Sequence, residues 1–246
     1  MNGSLPPMLT NQRHITAEIM DGPNVEAGAH ALALEGLRRI NAASKTAGRM
    51  ARPIIDHARR ENLGRLSMLD IACGGGDVPV GVALLARHAG IEIDLTLLDR
   101  SATALTLATA VADRAGITCR CVQTDLLDGW NQSIFDIVTC SLFLHHVTEP
   151  RQVVELLNRM GTISRRMVVI SDLRRCRMGL FTAWAGSRIL SRSAIVHHDA
   201  PASVRAAWTI HELADFAARA EMKNARIERS WPWRMLLIWE AEGRVA

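Results

Sequence analysis

The chain of 246 residues contains no tyrosine and only two lysines, Lys45 and Lys223, so arginine carries nearly all of its positive charge. The arginines are scattered in pairs such as Arg38-Arg39, and the formal net charge is +4. Binding to nucleic-acid phosphates favours basic residues that are clustered in one block or on one face. The sequence therefore favours an ordinary solvated surface, and no nucleic-acid partner is predicted.

Long apolar runs are also absent. No stretch of 18 uncharged apolar residues occurs, so the sequence predicts no integral membrane segment. Residues 1 to 7 lack the charged start and the apolar core of a signal peptide, and we therefore expect a cytoplasmic protein.

The five cysteines, at positions 73, 119, 121, 140 and 176, are odd in number and fall mostly in or beside predicted strands. This distribution is typical of small core residues in a reducing compartment. Cys119 and Cys121 form a C-x-C pair, but no second Cys or His pair follows at the spacing of zinc ligands. No metal site is predicted.

The most informative segment is residues 68 to 77, where an apolar run ends in Gly74, Gly75 and Gly76 just before a helical pattern. The run up to Ile71 is typical of a buried parallel strand. Glycines at such a turn can adopt positive φ and let a ligand approach the backbone, while the amides that open the next helix face it. The segment indicates a nucleotide-binding turn; a tight strand-to-helix connection without a ligand is the alternative.

A second predicted strand, residues 93 to 99, ends in Asp99, which lies 23 positions after Gly76. An acidic residue at this point can accept hydrogen bonds from both ribose hydroxyls of an adenosine. NAD-binding enzymes and S-adenosylmethionine-dependent methyltransferases both use this arrangement. The third glycine of a dinucleotide turn is replaced here by Pro79, and a negative charge on Asp70 would disfavour a pyrophosphate and suit a sulfonium and an ammonium.

The turn resembles the E/D-x-G-x-G-x-G motif of class I S-adenosylmethionine-dependent methyltransferases, with Asp70 as the acid and Ala72, Gly74 and Gly76 in the glycine positions. The resemblance extends from residue 66 to residue 172. A third strand is predicted over residues 117 to 123, and a fourth over residues 134 to 140. The fourth strand continues into a Leu-His-His segment at residues 144 to 146, which is similar to that of small-molecule methyltransferases of ubiquinone and menaquinone biosynthesis.

This resemblance implies S-adenosylmethionine as the cofactor and S-adenosylhomocysteine as the product. It implies that Asp99 binds the ribose and that Asp125 binds the adenine amino group. The cofactor-binding residues implied in this way are Asp70, Ala72, Cys73, Gly74, Gly76, Asp99, Arg100, Asp125, Leu126 and Ser141.

The alternation of strands and helices predicts one α/β domain. The resemblance implies a Rossmann-like, doubly wound seven-stranded sheet with an antiparallel last strand. We divide the chain into an N-terminal helical cap (1–64), a cofactor-binding core (65–172), a substrate-cap insertion after the fifth strand (173–208), and a closing helix and hairpin (209–246). The N-terminal helical cap resembles the mobile lid of related enzymes. An equally weighted alternative is that it is a fixed layer of packed helices.

Methyl transfer from a sulfonium is an in-line displacement that mainly requires alignment of the reacting groups. A phenol or enol acceptor gains from a general base, and histidine suits neutral pH. His145 is the predicted catalytic residue. Because adjacent residues do not easily both point inward, one of His145 and His146 is expected to be structural.

The insertion is predicted to form an apolar cap with a polar tip at residues 193 to 205. Its arginines could bind an acidic substrate group or pair with carboxylates, and its His-Asp pair could instead close a loop turn. Trp231 and Trp233 are predicted to pack in the core or the hairpin. The predicted substrate-binding residues are His146, Arg174, His198, Asp199 and Arg205.

The sequence thus predicts methyl transfer to oxygen or an activated carbon of a small, hydrophobic acceptor. Residues 172 to 175 and 198 to 205 resemble a bacterial subgroup associated with polyketide and lipid-like secondary metabolism, which implies a phenolic or pyrone acceptor. Two alternatives remain at this point. The chain could bind the nucleoside without turnover, or it could be an NAD-dependent oxidoreductase that shares the glycine turn and Asp99.

Overall fold

The computed structural model describes residues 13–22, 25–125 and 134–241. Within them, seven strands form one sheet in the order β3-β2-β1-β4-β5-β7-β6. Strands β1 to β5 run parallel, and β7 runs antiparallel to both of its neighbours. The strands are β1 (Arg65–Ile71), β2 (Glu92–Asp99), β3 (Cys119–Gln123), β4 (Phe135–Ser141), β5 (Ser164–Leu173), β6 (Arg226–Ser230) and β7 (Arg234–Glu240).

The described residues also form eight α-helices. Two precede the sheet, three connect its parallel strands, two follow β5, and one precedes β6. The helices are α1 (Ala27–Ala43), α2 (Thr46–Arg60), α3 (Asp77–His88), α4 (Ala102–Ala115), α5 (Pro150–Ile163), α6 (Arg177–Leu190), α7 (Ala194–Ala206) and α8 (Ile210–Arg219). None of these helices is long and apolar enough to cross a lipid bilayer.

The doubly wound sheet with an antiparallel last strand confirms the predicted fold. Its direction of winding reverses between β1 and β4, which pair in parallel although they are far apart in sequence. In such a sheet the crevice outside the carboxyl ends of the two central strands is where ligands bind. The glycine turn that follows β1 lies at this crevice.

The core lies on both faces of the sheet because alternate residues of a buried strand point to opposite sides. Met68 packs with α2, α3 and α4 on one face, in a cluster that includes Met50 and Ile54. Leu69 packs on the other face with α5 and α8, in a cluster that includes Leu157. Burial of each such side chain stabilises the fold by about 1.5–3 kcal/mol, so both faces hold the crevice in place.

Two helices begin at polar residues that cap them. Ser101 Oγ accepts the backbone N–H of Ala104 at 3.2 Å, which caps α4. Thr209 and Glu212 form a reciprocal capping box at the start of α8. Each cap satisfies backbone donors that a helix leaves without partners and contributes about 1 kcal/mol.

The insertion after β5 differs from its prediction. Residues 194–206 form helix α7 rather than a polar tip, and Val196 and Val204 are buried. The helical periodicity of residues 194–206 is hard to recognise in the sequence because two of the buried positions, Asp199 and Ser203, are polar. Helix α7 packs on α6 and α1, so the insertion is part of the wall over the crevice.

Candidate active site

A cavity of about 1110 Å³ lies at the carboxyl edge of the sheet. Its walls come from the glycine turn, the ends of β2 and β4, helices α1, α6 and α7, and residues 15–22 near the N-terminus. Pockets for one drug-sized ligand are typically about 300–1,000 Å³. The volume of this cavity is therefore above the usual range for one ligand.

The glycine turn adopts the backbone conformation that its sequence predicts. Gly74 and Gly76 have φ values of 52° and 75°. A Cβ on Gly74 would meet no atom within 4 Å, so the cavity reaches the backbone there, whereas a Cβ on Gly76 would lie 2.7 Å from Cβ of Ala108. Gly74 thus opens the turn to a ligand, and Gly76 lets the turn pack against α4. Ala72, in the first glycine position, has a left-handed φ of 53°.

Asp99 ties the end of β2 to the glycine turn. Its Oδ2 accepts the backbone N–H of Gly74 at 2.9 Å, and its Oδ1 accepts the N–H of Ser101 at 2.9 Å. The carboxylate also lines the cavity. It is therefore held in a single orientation next to the opening that Gly74 leaves.

The predicted cofactor-binding residues divide into three groups. Asp70 and Gly76 are outside the cavity lining, which corrects the expectation of direct contact, and Leu126 lies outside the described residues. The residues of the set that line the cavity are Ala72, Cys73, Gly74, Asp99, Arg100, Asp125 and Ser141.

Asp70 is fully buried in β1 rather than exposed beside the turn. Thr139 Oγ1 donates to its Oδ1 at 2.5 Å, and Oδ2 has no hydrogen-bond partner. Burial raises the pKa of Asp70 to about 7, with the hydrogen bond from Thr139 acting in the opposite direction. The predicted full negative charge near the turn is therefore partly neutralised at neutral pH.

His145 and Asp172 form a buried pair at the ends of β4 and β5. His145 Nδ1 donates to Oδ1 of Asp172 at 2.7 Å, and the backbone N–H of His145 donates to Oδ2 at 3.1 Å. The N–H of Leu173 also donates to Oδ1, at 2.6 Å. Burial alone would raise the pKa of Asp172, but His145 and these donors hold it below its ordinary value. A carboxylate at Nδ1 fixes the tautomer of the ring and leaves Nε2 as an acceptor.

The expectation that only one of the two adjacent histidines faces inward is wrong. Both line the cavity, and their ring centroids are 4.3 Å apart. They belong to a 3-10 helical turn, Leu144–His146, rather than to the strand. Consecutive side chains of a 3-10 turn are about 120° apart instead of opposed as in a strand, so both rings reach the same cavity.

Glu18 completes this polar cluster, although no sequence pattern points to it. Its Oε1 lies 3.7 Å from Nε2 of His145, its Oε2 lies 3.9 Å from Nε2 of His146, and Ser203 Oγ donates to Oε1 at 2.5 Å. These are metal-ligand types, and the ligand atoms of the three residues lie within 4.8 Å of one another. Two ligands of one zinc ion, each at about 2.1 Å in tetrahedral geometry, are roughly 3.4 Å apart. The wider spacing fits an acid–base cluster better.

Residues 13–22, here called the strap, hold Glu18 in place from both sides. Arg13 donates to the backbone carbonyls of Ala206, His145 (2.8 Å), Val147 (2.9 Å) and Thr148 (2.8 Å), and its guanidinium lies 3.6 Å from the centre of the Trp208 ring. At the other end, the backbone N–H groups of residues 19 and 20 donate to the carboxylate of Asp199 at 2.9 and 3.0 Å. The strap thus roofs the cavity above the histidines.

The substrate-binding predictions have mixed positions. His146 and Asp199 line the cavity, and Asp199 holds the strap. His198 Nδ1 donates to Oδ1 of its neighbour Asp199 at 2.8 Å, and His198 is half exposed outside the cavity lining. Arg174 and Arg205 are also outside that lining; the Arg174 guanidinium lies 5.7 Å from the Trp233 ring centre.

The tryptophans between β6 and β7 are not core residues. Trp231 is 57% exposed and Trp233 is 36% exposed, and both line the mouth of the cavity. Among the described residues, two arginines line the cavity. Arg100 directly follows β2, and Arg234 is the first residue of β7. Some residues of the site were not predicted from the sequence. Among them, Asp172 is the one that a sequence pattern could have indicated, because it lies near the end of a strand at the ligand-binding edge of the sheet.

A family model for a methyltransferase domain matches residues 68–165 of the chain. The ubiquinone biosynthesis O-methyltransferase of Pectobacterium atrosepticum is 34% identical over 100 residues, which are 39% of this chain and 39% of that protein. The corresponding enzyme of Paraburkholderia xenovorans is 26% identical over 164 residues, 66% of each chain. The chain thus spans less than two thirds of the length of these relatives.

Solved structures share the fold. The plantazolicin methyltransferase BpumL in complex with SAH superposes with a TM-score of 0.61 at 17% identity, over 87% of this chain and 95% of that one. Magnesium protoporphyrin IX methyltransferase from Synechocystis with bound SAM has a TM-score of 0.54 at 12% identity, over 90% and 88% of the two chains. The family match covers the segment from β1 to the first residues of β5, which includes the glycine turn, and the chain shares the fold of these methyltransferases.

Proposed function

We propose that the protein transfers a methyl group from S-adenosylmethionine to a hydroxyl group, or to an activated carbon, of a small and mainly apolar acceptor. The observation that carries this proposal is one continuous cavity. It joins the glycine turn and Asp99 at one end to the His145–Asp172 pair at the other. Its volume of about 1110 Å³ exceeds the usual range for one ligand, which supports a site that holds a nucleoside and an acceptor together.

The residues of the turn suit the cofactor. The open backbone at Gly74 admits a ligand, the Asp99 carboxylate can accept ribose hydroxyls, and Asp125 can accept the adenine amino group. Arg100, Ser141, Ala72 and Cys73 complete the proposed cofactor pocket. S-adenosylmethionine, when bound, supplies an electrophilic methyl group on a sulfonium, which an acceptor atom displaces in line.

His145 is the proposed general base. Its Nε2 faces the cavity and takes the proton of the acceptor hydroxyl, while the carboxylate of Asp172 stabilises the imidazolium that forms. The three donors to Asp172 keep this carboxylate ionised and the ring in one orientation. A base that is aligned in this way typically contributes about 10²–10⁴ in rate.

Glu18 is the proposed positioning residue of the acceptor site. Its carboxylate stands opposite both histidines and is itself held by Ser203. Glu18 accepts a hydrogen bond from a second polar group of the acceptor, while the reacting hydroxyl donates its proton to Nε2 of His145. The strap that carries Glu18, together with α1, would act as the cover that excludes water during transfer.

The acceptor end of the cavity favours a flat, apolar molecule. Helix α6 presents Gly179, Ala183 and Gly186 to it, and Phe143 and Trp233 add aromatic surface. A phenolic or pyrone polyketide of bacterial secondary metabolism has this shape and carries an acidic hydroxyl. His146 and Asp199 are the proposed acceptor contacts of the predicted set, while Arg174, Arg205 and His198 are proposed to act from outside the lining. All five cysteines are free, which suits activity in the cytoplasm.

The test incubates the protein with methyl-labelled S-adenosylmethionine and a bacterial extract, and then divides the label between organic solvent and acid-precipitable macromolecules. Label in the organic layer is expected. Label confined to the precipitate would mean a protein or nucleic-acid acceptor. S-adenosylhomocysteine binding without any transfer would mean a binding protein. A parallel reaction in EDTA should give the same transfer, because His145 rather than a metal ion removes the proton.

A further inference from the structure

Helix α6 separates the cavity from solvent. Its inner side lines the cavity, where Gly179 and Gly186 lie. Its outer side carries Met178, Phe181 and Ile189, which are 50%, 49% and 81% exposed and lie outside the cavity lining. The spacing of these three residues places them on one side of a helix with 3.6 residues per turn. Single apolar residues are common at protein surfaces, but a group on one helix face indicates a contact surface.

Aromatic rings and an arginine lie beside these apolar residues. The ring centroids of Phe181 and Trp184 are 6.3 Å apart, and the guanidinium of Arg188 lies 4.7 Å from the centre of the Trp184 ring. At the start of α6, a Cβ on Gly179 would lie 3.3 Å from Cβ of Trp233. Trp233 is one of the exposed residues at the mouth of the cavity. The mouth therefore opens next to α6.

The segment that contains α6 is rich in arginine. Residues 173–198 contain no aspartate and no glutamate. Arg175 is nearly buried and pairs with Glu212 at 3.0 Å, so its charge is balanced. The other arginines of the segment are Arg174, Arg177, Arg188 and Arg192, of which the last three are exposed. The solvent side of this segment therefore carries apolar and cationic side chains together.

We infer that the outer side of α6, together with Trp231 and Trp233, docks on the surface of a lipid bilayer that contains anionic lipids. A helix with Phe, Trp and aliphatic residues beside arginines lies in the plane of such a surface, where its apolar side chains enter the lipid and its cations meet the headgroups. Tryptophan is favoured at the level of the headgroups. With 14 residues, α6 rests on the bilayer rather than crossing it.

Two other partners fit this surface less well. In a symmetric dimer each copy presents the same face to the other. Arg188 and Arg192 of both copies would then be brought together, and residues 173–198 supply no carboxylate between them. Single-stranded nucleic acid stacks its bases on aromatic rings, whereas the most exposed apolar residue of α6 is the aliphatic Ile189. An anionic bilayer supplies both hydrocarbon and negative charge.

Docking in this orientation also serves the proposed function. The mouth of the cavity beside Trp233 would face the lipid, so that an apolar acceptor would enter from the bilayer without crossing water. The docking itself requires no methyl transfer and is measured without it.

The experiment measures co-sedimentation of the full chain with two kinds of vesicle. One kind consists of phosphatidylcholine alone, and the other also contains phosphatidylglycerol. Binding to the anionic vesicles is expected to be at least about tenfold tighter, because each arginine near an anionic surface contributes about fivefold. Raised salt should weaken this binding, since ions screen the charges.

Phe181→Ser combined with Ile189→Ser should weaken binding to the anionic vesicles by at least about tenfold, because two side chains that enter the lipid are removed. The matched control is Leu85→Ser combined with Ile134→Ser, which changes exposed apolar residues on other surfaces. This control should bind the vesicles as the wild type does. Both proteins should keep the wild-type affinity for S-adenosylhomocysteine, since all four residues lie outside the cavity lining.

Arg188→Gln combined with Arg192→Gln tests the contribution of charge. This protein should bind the anionic vesicles at least about tenfold more weakly than the wild type. Arg114→Gln combined with Arg120→Gln changes exposed arginines at the β3 edge of the sheet, opposite the edge that β6 forms, and should have little effect.

Wild-type protein that does not bind the anionic vesicles, or that binds both kinds equally, would overturn the inference. A wild-type dimer that the Phe181→Ser and Ile189→Ser protein no longer forms would assign the surface to a second copy of the chain and overturn it as well. The proposed function is tested separately by label transfer, so it stands if only the docking fails.

Discussion

Nδ1 of His145 and Oδ1 of Asp172 lie 2.7 Å apart where β4 and β5 end side by side. The two residues are 27 positions apart in the chain, and the parallel register that pairs Ser141 with Ser171 brings them together. The pair leaves Nε2 of His145 facing the cavity, opposite Glu18. This contact joins the carboxyl edge of the sheet to the proposed chemistry.

Asp172→Asn should lower kcat by about 10²–10⁴, because an amide neither stabilises the imidazolium nor enforces the tautomer that leaves Nε2 free. S-adenosylhomocysteine affinity should be unchanged, since Asp172 lies outside the cavity lining. Single-turnover methyl transfer and calorimetry measure the two quantities. Asp215→Asn, on the exposed face of α8, is the control. Wild-type turnover in Asp172→Asn would argue against His145 as the base.

Arg13→Ala should release the strap, because it removes the hydrogen bonds to residues 145, 147, 148 and 206 and the contact with Trp208. We expect faster amide hydrogen exchange in residues 14–22 and a raised acceptor KM as Glu18 loses its position. Arg52→Ala, on the exposed face of α2, should leave exchange in the strap unchanged. Unaltered exchange after Arg13→Ala would mean that the contacts with Asp199 and Ser203 hold the strap without Arg13.

Asp99→Ala should weaken S-adenosylhomocysteine by at least about tenfold, because it removes the proposed ribose acceptor and the hydrogen bond that orients Gly74. Asp94→Ala removes an exposed carboxylate of the same strand, which pairs with Arg65 at the surface, and should have little effect. Equal binding by Asp99→Ala and wild type would refute the ribose assignment.

Ala72→Gly should raise the free energy of unfolding by roughly 0.5–1 kcal/mol. The left-handed conformation costs a residue with a Cβ about 1–2 kcal/mol, and the greater freedom of glycine in the unfolded chain offsets about half of the gain. Ala110→Gly, at an exposed position in the middle of α4, should lower the free energy of unfolding by about 1 kcal/mol. Urea unfolding measures both changes, and the prediction fails where the two variants change stability in the same direction.

Asp70→Asn should become increasingly stabilising relative to wild type as the pH rises. The folded protein raises the pKa of Asp70 from 3.8 to about 7, mainly through burial. Protonation of Asp70 therefore stabilises the folded state. This stabilisation is fully present below about pH 4 and is lost as the pH rises to about 7. Asparagine resembles the protonated acid at every pH. The advantage of the variant should grow by a few kcal/mol between pH 4 and 8, measured by urea unfolding of the ligand-free protein.

A constant stability difference across that range would show that Asp70 keeps its ordinary pKa in the folded state. The exposed-site variant Asp215→Asn should show no such pH dependence and serves as the baseline.

The local features of the fold were predictable from sequence because each depends on neighbouring residues. The five parallel strands follow from short apolar runs, and the starts of α4 and α8 follow from Ser101 and the Thr209–Glu212 box. The turn after β1 follows from its glycines. Asp99 and His145 could be predicted at one edge because the carboxyl ends of parallel strands meet there. Residues 193–205 were misjudged because buried Asp199 and Ser203 have partners on the distant strap.

The sequence by itself determined the doubly wound sheet and the glycine turn, since apolar periodicity and glycine conformation act over a few residues. The tertiary structure alone decided which polar side chains meet in the cavity. Glu18 reaches His145 only through the strap, and Arg234 reaches Asn41 across 193 positions of sequence. Such contacts depend on the order in which distant elements pack, so a carboxylate or guanidinium inside the cavity has the same local sequence signature as one at the surface.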